Sequence, residues 1–71
     1  MIGTVKWFND KKGYGFIKCD EFDNDIYIHF SDINKRGYKT LYKNDKVEFN
    51  YDEKKNKAIN LKIINDGIYN L

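Results

Sequence analysis

Two short segments alternate ring and aliphatic side chains with a period of two, and this pattern most limits the folds open to the chain. In Tyr14–Ile17 the rings occupy even positions, whereas in Ile26–His29 they occupy odd positions. Successive side chains of a β-strand point to opposite faces, so both segments are expected to form strands with a ring face and an aliphatic face. If the two strands pair, the aliphatic faces line a core and the rings face water. Clustered rings on a surface usually mark a binding surface.

Strand signals dominate the rest of the chain, where segments rich in Val, Ile and aromatic residues are separated by Gly, Asn and Asp clusters. The longest irregular segment, residues 30–44, offers Ser31 as a candidate cap for a single helical turn. Strands that bury one face without helices to cover it must close into a barrel or stack as two sheets. We therefore predict an all-β fold, a five-stranded antiparallel barrel. Its expected strands are Ile2–Asn9, Gly15–Cys19, Asp25–His29, Asp45–Tyr51 and Ala58–Ile64, and its expected interior is Val5, Ile17, Ile26, Ile28, Ile33, Val47, Phe49, Ile59, Leu61 and Ile63.

The length of 71 residues allows one domain, near the lower limit at which a core stabilises a fold without disulfides or metals. Cys19 is the single cysteine, so the chain has no internal disulfide. No apolar run approaches the roughly 20 residues of a membrane-spanning helix, and Met1–Val5 lacks the features of a signal peptide. We expect a soluble cytoplasmic protein without a membrane partner. Residues 1–66 are expected to form the domain and residues 67–71 a short tail.

Charge is distributed unevenly around the ring segments. The net charge of +2 argues only weakly for a polyanionic partner. Lysines nevertheless flank the first ring segment, and the acidic residues of 20–25 gather in the connection between the two ring strands. Lysines on a small domain also serve solubility, so the pattern alone leaves both interpretations open. The flanking lysines are Lys6, Lys11, Lys12 and Lys18.

The chemistry best suited to such a surface is base stacking, which contributes about 1–3 kcal/mol per base and tolerates every base. Lys6 and Lys12 are expected to contact phosphate. For Trp7 and Phe30 the pattern leaves core and surface open, Tyr38 could be a surface ring without a role, and Phe8 has the opposite parity to Trp7 in the first strand. The candidate rings are Trp7, Phe8, Tyr14, Phe16, Tyr27, His29, Phe30 and Tyr38.

Enzyme and metal chemistry find no support in the residue pattern. His29 could act as a general base, but no Ser or Cys nucleophile with an orienting carboxylate accompanies it. Cys19 and His29 are too few for a structural zinc site, which needs about four ligands. The acidic segment 20–25 lacks the glycine and the distal glutamate of an EF-hand loop. We therefore predict no catalytic residue, no metal and no cofactor.

Three segments closely resemble the hallmark motifs of the bacterial cold-shock proteins, the single-domain members of the cold-shock domain family. They are Lys6-Trp7-Phe8-Asn9, the RNP1-like Lys12-Gly13-Tyr14-Gly15-Phe16-Ile17 and the RNP2-like Ile26-Tyr27-Ile28-His29-Phe30-Ser31. The resemblance implies an OB-fold barrel that binds single-stranded RNA or DNA with little sequence preference beyond pyrimidines and acts as an RNA chaperone. We expect the chaperone activity to require no ATP. We also expect the chain to be a monomer. Carried over by motif, the binding residues are Lys6, Trp7, Lys12, Tyr14, Phe16, Tyr27, His29, Phe30 and Tyr38, with Phe8 partly exposed beside them.

The sequence also departs from the family pattern. Tyr14, Tyr27 and Tyr38 stand where phenylalanine is usual, which keeps the stacking face and adds a hydroxyl group. The acidic connection at 20–25 and the lysine-rich turn at 54–57 differ from the common glycine-bearing versions.

Two other functions would use a similar set of rings. An RNA recognition motif needs two amphipathic helices and places RNP2 before RNP1, and neither condition holds here. A small peptide-binding barrel of the SH3 kind is distinguished by salt, because only phosphate binding releases counterions.

Overall fold

The computed structural model describes residues 1–35, 37 and 39–64. Its strands are β1 (Ile2–Asn9), β2 (Tyr14–Lys18), β3 (Ile26–His29), β4 (Lys46–Asp52) and β5 (Lys57–Ile63), with a 3-10 helix at Phe30–Asp32 after β3. Every strand boundary falls within one residue of the position expected from the alternation. The expected tail, residues 67–71, lies outside the described residues.

The strands form a closed barrel in the order β1-β2-β3-β5-β4. β1 pairs with β2 and β4, β2 with β3, and β4 with β5, all in antiparallel fashion. Because β4 returns beside β1, β5 runs in the same direction as β3, and the barrel closes through parallel contacts at Tyr27 with Lys57 and at Ile33 with Leu61. The all-β, five-stranded barrel is confirmed, and the parallel closure adds a detail to the otherwise antiparallel pairing.

The core lies inside the barrel and consists largely of the expected aliphatic side chains. All of the predicted interior residues are buried except Ile59 and Ile63, which are half-buried. Cys19, Leu41 and Ala58 also lie in the interior, although the expected core did not include them. The buried apolar residues are Val5, Ile17, Cys19, Ile26, Ile28, Ile33, Leu41, Val47, Phe49, Ala58 and Leu61.

The prediction that Ile59 lines the interior is wrong, and a bulge in β5 explains the error. Ala58 and Leu61 are both fully buried although they are three residues apart, which a regular strand with a period of two does not allow. The pairing of β4 with β5 shifts between Glu48 and Asn50, and Asn60 adopts a positive φ of 51°. A bulge inserts one residue, so the inward positions before it have the opposite parity to those after it. Because Leu61 lies inward after the bulge, Ala58 rather than Ile59 lies inward before it.

The helical turn after β3 is present, but Ser31 does not cap it. The 3-10 helix spans Phe30–Asp32, and its cap is His29, whose side chain accepts a hydrogen bond from the Ser31 backbone N–H. The Nδ1 atom of His29 lies 3.3 Å from that nitrogen and 2.8 Å from the Ser31 hydroxyl oxygen. The cap therefore lies two residues earlier than expected, and it fixes the histidine ring at the end of β3.

Candidate nucleic-acid interface

Four aromatic side chains contact one another on the outside of β1, β2 and β3, and they are called the ring platform below. Their contacting ring centroids lie 5.3–6.4 Å apart. Tyr14 and Tyr27 are close to parallel, with an interplanar angle of 26° at 5.9 Å, whereas the other pairs are tilted or edge to face. Mutual contact holds the rings in place before any ligand arrives. The members of the platform are Trp7, Tyr14, Phe16 and Tyr27.

The pairing of β2 with β3 brings the second and third strands' rings together. Phe16 lies opposite Tyr27 in the antiparallel register, and Tyr14 lies opposite His29. Gly15 and Ile17 on the same strand are buried, so the partition into a ring face and a core face is as the alternation predicted. A Cβ atom on Gly15 would lie 2.3 Å from the Trp7 carbonyl oxygen. The absence of a side chain there allows β1 to approach β2 closely enough for Trp7 to join the platform.

Trp7 reaches the surface through a bulge in β1. Val5 is fully buried, and Trp7, two residues later, has a residue exposure of 39%. The register between β1 and β2 shifts between these two residues, so the strand parity changes and the indole points outward. Periodicity alone left Trp7 undecided because a bulge leaves no mark in the spacing of apolar residues.

His29 and Phe30 extend the ring surface beyond the platform. Their ring centroids are 4.6 Å apart, and Phe30 is 45% exposed. Phe30 is fixed against the β1–β2 turn, because its backbone N–H donates to the Gly13 carbonyl oxygen at 2.8 Å. Gly13 has a φ of 77°, and a Cβ there would lie 2.6 Å from the Cδ1 atom of Phe30. The resemblance placed Phe30 at the surface, and that is where the ring lies.

Two further predicted rings have a different status. Phe8 is half-buried and packs against the core. Among the described residues it has no ring contact with the platform, so its role in binding stays a prediction. Tyr38 lies outside the described residues.

The two lysines predicted to contact phosphate have different surroundings. Lys12 is exposed, and its backbone N–H donates to the Asn9 side-chain oxygen at 3.0 Å. The Nζ atom of Lys6 lies 2.8 Å from a carboxylate oxygen of Asp25, with the two side chains 56% and 33% exposed. Asp25 therefore competes with phosphate for Lys6. The sequence did not reveal this pairing, because the residues are 19 positions apart.

The described part of the chain offers stacking faces and cations at the ring surface. Residues 1–35, 37 and 39–64 contain no group of three or more His, Cys, Asp or Glu side chains that could hold a metal ion. No helix within these residues is long and apolar enough to cross a membrane. Rings in mutual contact beside exposed ammonium groups are the arrangement that binds single-stranded nucleic acids through stacking and phosphate attraction.

The chain matches a known protein family over almost its whole length. The family model described as the "'Cold-shock' DNA-binding domain" matches residues 1–65. A solved structure titled "drosophila Unr CSD456" is similar with a TM-score of 0.75 and 26% identity, covering 89% of this chain and 26% of that one. The chain thus spans about a quarter of the Drosophila chain's length.

Bacterial relatives are more similar in sequence. A cold shock-like protein of Aquifex aeolicus is 46% identical over 66 residues, which cover 90% of this chain and 94% of the relative. The major cold shock protein of Micrococcus luteus is 54% identical over 48 residues, covering 68% of this chain and 72% of the relative. Cold shock protein CspA of Staphylococcus aureus is 57% identical over 47 residues, covering 66% and 70%. Together with the barrel and its ring platform, these matches show that the chain belongs to the cold-shock DNA-binding domain family.

Proposed function

We propose that this protein binds single-stranded RNA and DNA with little sequence preference and acts as an RNA chaperone that needs no ATP. The observation that carries the proposal is the ring platform, in which Trp7, Tyr14, Phe16 and Tyr27 contact one another on the outer face of three strands. Each base has a flat apolar face, so stacking on such rings is favourable whatever the sequence. A duplex hides those faces inside its own stack, and the proposal therefore includes discrimination against paired strands.

The stacking and base-pairing energies support chaperone activity without ATP. Stacking contributes about 1–3 kcal/mol for each base held on a ring, while a base-pair step of a duplex contributes about 1.4 kcal/mol. A surface that holds several unpaired bases therefore competes with a helix of similar length. Binding shifts the equilibrium toward the open strand, and dissociation leaves the RNA free to pair again.

Three narrower features belong to the same proposal. The resemblance to cold-shock proteins, which often favour pyrimidine-rich strands, supports the same preference here. A closed barrel supports action as a monomer, since strand pairing around the described barrel reduces the edge that a second copy could pair with. The buried free thiol of Cys19 fits a reducing compartment, and we propose the cytoplasm.

A pair of matched ring substitutions tests the role of the platform. Phe16→Leu removes a ring of the platform, and Phe22→Leu removes a half-buried ring that packs on Tyr51 at 4.6 Å, outside the platform. We expect Phe16→Leu to weaken binding of a labelled oligo-dT strand by roughly five- to a hundredfold, as the loss of about 1–3 kcal/mol implies. Phe22→Leu should leave affinity within about twofold, since no stacked base is lost. Equal losses from both substitutions would show that the platform is not the binding surface.

A hairpin assay tests the chaperone activity separately. An RNA hairpin with a weak stem carries a fluorophore and a quencher at its ends, and saturating protein is added without ATP. We expect fluorescence to rise as the stem opens, and Phe16→Leu to require more protein for the same opening. A stem that stays closed while the linear strand still binds would contradict the chaperone activity and leave single-strand binding intact.

A further inference from the structure

A basic groove lies at the Phe30 end of the ring surface, between the β1–β2 turn and the segment after the 3-10 helix. It has a volume of about 440 Å³. Its lining includes three lysines, one aspartate, two glycines and the Phe30 ring. The lining residues are Asp10, Lys11, Lys12, Gly13, Phe30, Gly37 and Lys39.

Two lysines near the ring surface are held in ion pairs, unlike those of the groove. Lys6 of β1 is paired with Asp25 at 2.8 Å, and Lys57 of β5 with Asp32 at 2.9 Å. By contrast, Lys11, Lys12 and Lys39 form no salt bridge with any residue in the described ranges. With three lysines and one aspartate in its lining, the groove has an excess of positive charge. Its potential is therefore suited to an anion, whereas the charges of Lys6 and Lys57 are partly neutralised within the protein.

The groove continues the line of rings. The Tyr27 ring stacks on the Tyr14 ring, and Tyr14 lies opposite His29 in the strand register. The His29 ring in turn contacts Phe30, which lines the groove. A strand whose bases follow these rings arrives over the groove with its charged backbone. Phosphodiester groups then meet the ammonium groups of the lining.

Resting on the proposed function, we infer that this groove binds the sugar–phosphate backbone of the single strand where it leaves the rings, with Lys11 and Lys39 as phosphate contacts beside Lys12. The rings hold bases, and the groove supplies most of the salt-sensitive part of the affinity. The binding site is therefore longer than the ring platform and ends in a positively charged groove.

The test compares two double variants that remove the same charge. Lys11→Gln with Lys39→Gln removes two groove lysines, and Lys46→Gln with Lys62→Gln removes two exposed lysines of β4 and β5. Affinity for oligo-dT is measured over a range of salt concentrations from the quenching of Trp7 fluorescence. Each lost phosphate contact lowers the slope of log affinity against log salt by about 0.7, so the groove variant should lose about 1.4. We expect it to bind roughly three- to tenfold more weakly at low salt, and the β4–β5 variant to match the unmodified protein.

Two further arms keep the result interpretable. Lys11→Arg with Lys39→Arg retains both charges and should retain the slope, so a loss there as well would overturn the proposal by showing that shape matters and charge does not. Strands with one neutral methylphosphonate linkage, moved stepwise along the chain, locate the phosphate. One position should weaken binding to the unmodified protein and have little effect on the groove variant.

Outcomes that contradict this inference differ from those that contradict the proposed function. Normal Trp7 quenching with an unchanged salt slope in the groove variant would overturn the groove alone. An equal loss in the β4–β5 variant would also overturn it, by showing a general effect of net charge. If the unmodified protein gives no response to any single strand, single-strand binding itself fails.

Discussion

At the scale of single residues, Gly13 shows how one absent side chain positions an exposed ring. Its φ of 77° lies in the left-handed region, and the Phe30 ring occupies the space that a Cβ would fill. Gly37 has almost the same backbone angle, a φ of 79°, but no other described residue that is not its chain neighbour has an atom within 4 Å of its Cβ position. The two glycines therefore separate the cost of the backbone angle from the cost of displacing Phe30.

We predict different effects of alanine at these two positions. Both substitutions should lower the free energy of unfolding by about 1–2 kcal/mol, because a Cβ is strained in the left-handed region. Gly13→Ala should add a further loss of roughly 1–3 kcal/mol from overpacking and weaken single-strand binding as Phe30 moves. Urea unfolding and an oligo-dT titration measure the two effects. If Gly37→Ala proved as harmful as Gly13→Ala in both measurements, the contact with Phe30 would have no special role.

At the scale of elements, β2 and β3 follow the sequence pattern and β1 and β5 depart from it. The alternation over Tyr14–Lys18 and Ile26–His29 could be interpreted directly, because both strands are regular. Trp7 and Ile59 could not be placed by periodicity, since each follows or adjoins a bulge whose position depends on the partner strand. The pairing of Lys6 with Asp25 was equally hidden, because only the folded chain brings them together.

The bulge in β5 leads to a second prediction. Asn60 has a φ of 51°, a conformation that asparagine tolerates and a β-branched residue does not. Asn60→Val should lower the free energy of unfolding by about 1–3 kcal/mol, the cost of a strained backbone. Asn50→Val, at an exposed position of β4 without a positive φ, should be neutral or slightly stabilising, since valine favours strands. Denaturant unfolding compares them, and equal destabilisation would contradict the assignment of the bulge.

At the scale of the whole molecule, the barrel is closed by a short parallel contact between β3 and β5, and an ion pair lies beside it. Lys57 is the register partner of Tyr27 in that contact. Its Nζ atom forms a salt bridge with a carboxylate oxygen of Asp32 at 2.9 Å, and the two side chains are only 23% and 22% exposed. Lys62 and Glu48 form a second pair at 3.6 Å with side chains 59% and 49% exposed. Partial burial reduces solvent screening, so the first pair should contribute more than the second.

The two ion pairs can be compared through isosteric substitutions. Asp32→Asn should lower the free energy of unfolding by about 1 kcal/mol, because it removes a charge-assisted hydrogen bond that is partly shielded from water. Glu48→Gln should change it by less than about 0.5 kcal/mol, as is typical of an exposed pair. Thermal or urea unfolding at two salt concentrations measures both. An effect of Glu48→Gln as large as that of Asp32→Asn would show that the closing pair has no particular role in the barrel.

The central claim is that unpaired bases stack on the ring platform, and the fluorescence of Trp7 tests it most directly because the chain contains one tryptophan. Short oligo-dT, oligo-dA and a matched duplex are titrated at two salt concentrations. We predict strong quenching by oligo-dT, a weaker response to oligo-dA, no response to the duplex, and affinity that falls as salt rises. No response to any single strand, or equal quenching by the duplex, would contradict the claim and favour a peptide as the ligand of the rings.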